Sequence, residues 1–186
     1  MGRLGHLIPL MHPDADRDQR FKAWMDEHRG ILLKIARSFA RNPAETDDLE
    51  QEIMLQLWES MPGFAGQAKV STWIYRVSLN TALMWHRGTG RRERRLEPGA
   101  DVALLASPGA SPADAAARVD LLEQLYRAIR SIPEFDRALV LLMLDGLAYR
   151  EISEITGLTE NHVGVALTRA RAKLAERLKG LRNELG

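Results

Sequence analysis

The sequence predicts an all-α protein built as two small helical domains joined by a flexible linker. Three observations predict it. Apolar residues recur at three- and four-residue spacing through every long segment, and no segment shows a convincing run of strand-like alternation. Between the two periodic regions, Pro98 to Ala117 (PGADVALLASPGASPADAAA) is mostly Ala, Pro, Gly and Ser with three prolines and no aromatic residue, so it buries little and tethers. An apolar fraction of 45% over 186 residues is enough for two buried cores. The predicted division is a loose tail over 1–14, a first domain over 15–96, a linker over 97–117 and a second domain over 118–186. Val102, Leu104 and Leu105 form a short apolar patch within the linker, and Met11 is an alternative start to Met1.

The first domain opens with a helix over Phe21 to Phe39, whose Trp24, Met25, His28, Leu32, Ile35, Ala36 and Phe39 lie on one face, and which Asn42 and Pro43 end. Thr46 reads as the N-cap of a second helix with a carboxylate-rich first turn, favourable against the positive helix end. Its stripe is Leu49, Ile53 and Leu57, with Met54, Trp58 and Met61 beside it, until Pro62 and Gly63 break it. After the loop PGFAGQAKV, Ser71 caps a third helix through Trp73, Ile74, Val77, Leu79 and Leu83 that fades into an arginine cluster. In the second domain, Leu121, Leu122, Leu125, Ile129 and Ile132 mark one helix. Pro133 then opens another through Leu139, Leu142 and Met143, closed by Gly146.

The stretch REISEITGLTENHVGVALTRARAKL then reads as a helix-turn-helix. Ile152 and Ile155 anchor the first helix, Gly157 makes the turn, Leu158 plugs it and Thr159 caps the second helix. That helix turns Val163, Leu167, Ala170 and Leu174 to the core. Glu160, Asn161, Gly164, Val165, Thr168, Arg169 and Arg171 stay on or near the open face, where a recognition helix meets base edges and phosphates.

Charge narrows the function. The net charge of +1 points to no partner, but the charges are sorted into blocks. Glu45 to Glu52 holds five carboxylates and no base, Arg87 to Arg95 five arginines against one glutamate, and Arg169 to Gly186 six basic against two acidic residues. Two partners of different charge are the reading that uses them; solvated helix faces are the bland alternative. With no cysteine, disulfides, thiolate metal sites and cysteine nucleophiles are excluded, in keeping with a cytoplasmic location. The apolar runs fall far short of the roughly 18 residues of a membrane span, and MGRLGHLIPLM is too short and interrupted for a secretory signal. The carboxylates lack the Asp-x-Asp-x-Asp-Gly spacing of a cation loop, and the histidines are scattered. No phosphate-binding loop or nucleophile–base arrangement is present, so the expectation is a binding protein with no enzyme activity, metal, cofactor or small-molecule substrate.

With both halves in view, the chain resembles the two-domain bacterial RNA polymerase sigma factors of the extracytoplasmic-function class. DDLEQEIMLQLWES (Asp47 to Ser60) is similar to the family's region 2.2, FAGQAKVSTWIYRVSLNTALMWHR (Phe64 to Arg87) to regions 2.3 and 2.4, and DGLAYREISEITGLTENHVGVALTRARAKL to region 4.2. The resemblance implies that Asp47, Asp48, Gln51, Glu52, Leu55 and Trp58 grip the coiled coil of the polymerase's largest subunit, charge steering the approach and the aromatic supplying buried area. It implies that the second domain meets the enzyme's upstream-element flap. It further implies that the Gly63 to Ser71 loop with Lys69, and the path of Trp73, Tyr75, Arg76, Asn80, Trp85 and Arg87, hold the melted strand of the -10 element. Trp73 is expected to be buried, and Trp85 is the aromatic expected at the nucleic acid. Arg91, Arg92, Arg94 and Arg95 read as phosphate clamps.

For the -35 element the implied readers are Thr159, Glu160, Asn161, His162, Gly164, Val165, Thr168, Arg169 and Arg171. The family commonly carries a basic or polar pair where this chain has Gly164 and Val165, so base reading shifts toward Asn161, Thr168 and DNA shape. Gly164 itself suggests close approach to DNA or simple tolerance, since a helical Gly costs roughly 1 kcal/mol. An anti-sigma factor is implied as a further partner. The competing readings are a stand-alone helix-turn-helix regulator and a sigma-mimicking interaction protein. A mimic would have lost the basic residues near Trp85 and on the last helix, which this sequence keeps.

Overall fold

A computed structural model describes residues 13–92 and 112–184. Among these residues there are seven α-helices and no strand. The first bundle is α1 (Pro13–Phe39), α2 (Pro43–Ser60) and α3 (Val70–Arg92), with a 3-10 turn over Met61–Gly63. The second is α4 (Pro112–Arg130), α5 (Glu134–Leu144), α6 (Tyr149–Thr156) and α7 (Glu160–Glu184).

The apolar stripes read from the sequence form the cores. Leu32, Ile35, Ala36 and Phe39 of α1 meet Leu49, Ile53 and Leu57 of α2 and Ile74, Leu79 and Ala82 of α3, all buried. In the second bundle Ile129, Leu139, Leu142, Ile152, Ile155, Val163, Leu167, Ala170 and Leu174 are buried in the same way. Gly146 (φ 74°) and Gly157 (φ 76°) close α5 and α6 in the left-handed region, which a side chain resists. Gly157→Ala is expected to cost about 1 kcal/mol, read as a lower urea midpoint at unchanged slope.

The helix starts differ from the sequence expectation, each for a local reason. Asn42 and Pro43 begin α2: the Asn42 side chain accepts from the Glu45 amide at 2.9 Å, and Pro43 occupies the first turn, where its missing N–H costs nothing. Thr46 is a turn further in, its hydroxyl donating to the Asn42 carbonyl. α3 starts at Val70, one residue before Ser71. α4 reaches back to Pro112, so residues 112–117, expected in the linker, are helical; a leading proline followed by alanines suits that. α1 runs back to Pro13, and its added turns pack on α2: the Arg17 guanidinium lies 3.8 Å from the Trp58 ring centroid, beside Phe21, which stands edge-on to the same ring at 5.2 Å.

The two bundles do not stand apart. Their buried side chains form one contiguous cluster, with α4 and α5 against α1 and α6 against α3. Polar contacts stitch the seam. Arg137 of α5, 5% exposed, donates to the Ser38 carbonyl of α1 at 3.2 Å and to the Arg130 and Ile132 carbonyls of its own half, with Phe39 beneath it. Burial lowers its pKa. Arg130 donates to the Arg37 carbonyl, and His86 pairs with Glu134 at 2.7 Å.

Candidate polymerase and nucleic-acid interfaces

The acidic block on α2 divides into two roles. Glu50 turns inward, 7% exposed, and holds Arg29 at 2.8 Å, a contact that raises the Arg29 pKa. Glu45 folds back on Arg41. That leaves Asp47, Asp48 and Gln51 exposed with Leu55, which is 48% exposed, and Glu52 half-buried beside Gln56; Asp47 also lines the cleft shared by Arg29, Arg41 and Glu50. An exposed leucine among carboxylates is the composition of an anchored, electrostatically steered contact. Trp58 adjoins this face half-buried, one side of its ring under Arg17.

On α3, Arg76, Asn80 and Arg87 are exposed at helical spacing along one face, with Lys69 two turns before Arg76 at the end of the preceding loop. Met84, 70% exposed, sits on the same face; sequence periodicity passed over it because its neighbour Leu83 carried the core stripe. Trp73 is half-buried in an aromatic cluster with Trp24 and Phe64, which fixes the entry to α3. Tyr75 is buried, 6% exposed. Trp85, expected at the nucleic acid, is half-buried and packs on the core. Arg91 and Arg92 fall in the last turn of α3, but their side chains, like Arg94 and Arg95 altogether, lie outside the described residues.

α7 is sorted as a recognition helix should be. Val163, Leu167, Ala170 and Leu174 are buried, whereas Glu160, Asn161, His162, Val165, Thr168, Arg169 and Arg171 are exposed. Thr159 caps the helix through its hydroxyl, which accepts from the His162 amide and contacts the His162 ring. Gly164 meets a packing demand of its own: a Cβ there would lie 3.3 Å from Cε2 of Tyr149, so the glycine admits the α6 ring against α7. Tyr149 is 42% exposed and has room to give. Gly164→Ala should therefore gain less than the roughly 1 kcal/mol of helix propensity in the native chain and approach it when Tyr149→Ala is also present, a difference that a double-mutant cycle measures.

Residues 24–92 match Sigma-70 region 2 and residues 122–174 match Sigma-70 region 4. The ECF RNA polymerase sigma-E factor of Escherichia coli is 30% identical over 148 residues, spanning 74% of this chain and 75% of that one. The chain belongs to the ECF sigma factors. A "Probable RNA polymerase sigma factor RfaY" of Xanthomonas campestris pv. campestris is 26% identical over 178 residues, 94% of this chain but 44% of the relative, so this sigma factor spans less than half of that protein's length. Two solved structures share the fold. CnrH in complex with the cytosolic domain of CnrY gives a TM-score of 0.62 at 22% identity over 88% of this chain and 90% of that one. The sigma factor RpoE in complex with the anti-sigma factor NepR from Bartonella quintana gives 0.64 at 19% identity, covering 88% and 97%.

Among the described residues no helix is long and apolar enough to cross a membrane.

Proposed function

We propose that this ECF sigma factor binds core RNA polymerase through the exposed acidic face of α2, directs it to promoters and stabilises opened DNA. The face of Asp47, Asp48, Gln51 and Leu55 meets the basic coiled coil of the largest subunit, with Glu52 and Trp58 at its edge. Lys69, Arg76, Asn80 and Arg87 follow the unpaired strand of the -10 element, with Met84 available to pack on an extruded base. α7 enters the major groove at the -35 element: Asn161 suits adenine, Thr168 a thymine methyl or phosphate, and Arg169 and Arg171 guanine or phosphate. The chain contributes binding energy and no bond-making step. It works where the polymerase and chromosome are, in the cytoplasm.

The observation that carries this reading is the sorting of α7, apolar on its inner positions and polar or basic outside, in a chain whose other half keeps an acidic α2 face and a basic α3 face. Each half alone holds DNA weakly, and linkage through the polymerase turns two weak contacts into one strong one. A likeness in fold to the sigma factor RpoE, solved with the anti-sigma factor NepR, supports control by an anti-sigma protein. A gel-shift on a target promoter tests the reading. The chain with core polymerase should give a salt-sensitive, competitor-resistant complex that neither component gives alone, and an equal shift by the chain without core would favour a stand-alone regulator.

A further inference from the structure

Trp58 is the aromatic of the α2 face, and what holds it lies outside the segment that matches Sigma-70 region 2. That match begins at residue 24. Arg17 and Phe21 precede it, one turn apart on the same side of α1. The Arg17 guanidinium stands over the Trp58 ring, 3.8 Å from its centroid, and Phe21 meets the same ring edge-on. The guanidinium also reaches the backbone, where its Nη2 donates to the Trp58 carbonyl at 2.5 Å. That carbonyl is short of a donor for a local reason. The amide four residues further on would be that of Pro62, which has no N–H. One side chain therefore grips Trp58 by ring and by backbone, close to where α2 gives way to the 3-10 turn.

A cover that served the fold alone would not need a cation. The Arg17 Nε is buried with no hydrogen-bond partner among the described residues, a cost that an apolar side chain of similar length would avoid. Nor does its positive charge help to attract a basic partner to the α2 face. What the guanidinium supplies is direction. Stacking and the carbonyl bond together fix the ring relative to the α2 backbone, because the planar group must satisfy both at once. Trp58 is half-buried and stands three residues from the exposed Leu55, so the set of its ring shapes the apolar surface offered there. An anchor already ordered in the free protein loses less freedom on binding.

We infer that Arg17 is a positioning residue for core polymerase: it presets the Trp58 ring, and the turns of α1 ahead of the matched segment belong to the polymerase-binding unit. The inference rests on the role given to the α2 face above.

The test uses the full chain and purified core polymerase. Arg17→Met keeps an unbranched apolar cover and removes the cation and the donor. In biolayer interferometry its dissociation should quicken about 3- to 10-fold, the range for ordering one side chain on binding, with association unchanged or faster at low salt. Arg17→Lys, which restores a cation and a donor, should recover part of the loss. The urea midpoint of Arg17→Met should stay near the parent's, because loss of the carbonyl bond is offset by relief of the buried Nε. In 5-fluorotryptophan NMR the Trp58 line, assigned by its loss in Trp58→Phe, should be single in the parent and broadened or split in Arg17→Met. In a Trp58→Ala background Arg17→Met should have no further effect. A parent-like dissociation rate for Arg17→Met overturns the inference, as does an equal loss with Trp58 present or absent. Trp58→Ala binding core as tightly as the parent would instead remove Trp58 from the interface, which is a failure of the underlying reading and is seen without any change at Arg17.

Discussion

Asp47 and Asp48 changed together to lysine should weaken binding to core polymerase by about 10- to 100-fold, or about 1.4–2.8 kcal/mol. Both carboxylates are exposed on α2, and neither belongs to the Arg29–Glu50 or Arg41–Glu45 pairs that serve the fold, although Asp47 lines the same cleft. Their reversal therefore leaves the bundle intact, and circular dichroism of the variant should match the parent. Most of the loss should lie in the association rate at low salt, because surface carboxylates steer a basic partner more than they glue it. Leu55→Ala on the same face should instead speed dissociation. Biolayer interferometry against purified core at two salt concentrations separates the two effects. Equal affinity of the double variant and the parent would remove α2 from the interface.

Leu167→Ala should destabilise the chain by about 2–5 kcal/mol, the range for a large-to-small change in a close-packed core. Leu167 is fully buried, among the inner positions of the recognition helix. Against a total stability of about 5–15 kcal/mol this is a large share, and because the two bundles share one cluster, the loss should be felt in both. Urea unfolding followed at the tryptophans checks this directly, since Trp24, Trp58, Trp73 and Trp85 all lie in the first half. A midpoint shift reported by those tryptophans shows the halves coupled, whereas an unshifted tryptophan transition with lost helicity would show that they unfold apart.

Much of this was legible in the sequence, and particular residues show why. The inner stripe of α7, the Gly157 turn and the Thr159 cap follow from periodicity and local backbone chemistry, which are encoded within a few residues. Asn42–Pro43 follows the end of α1 as its sequence suggests, but it also starts α2, because the next turn offers the Glu45 amide to the asparagine side chain. The inward turn of Glu50, the Arg17 cover on Trp58 and the half-burial of Trp85 depend on residues far away in the chain, so composition could not assign them. The role of Gly164 is of the same kind. It answers to a ring one helix away. Most of all, contact between the bundles was invisible, because Lys34, Asp145, Lys69 and Glu151 are ordinary surface charges until folding brings them together.

As a sigma factor, this chain should give the polymerase its start sites. Run-off transcription with purified core, on a library of genomic fragments from the same organism, tests it most directly. Discrete transcripts whose upstream sequences share two spaced elements should appear only when the chain is added and be lost with Asp47 and Asp48 reversed. Transcripts indistinguishable from those of core alone, with the chain folded and present in excess, would contradict it.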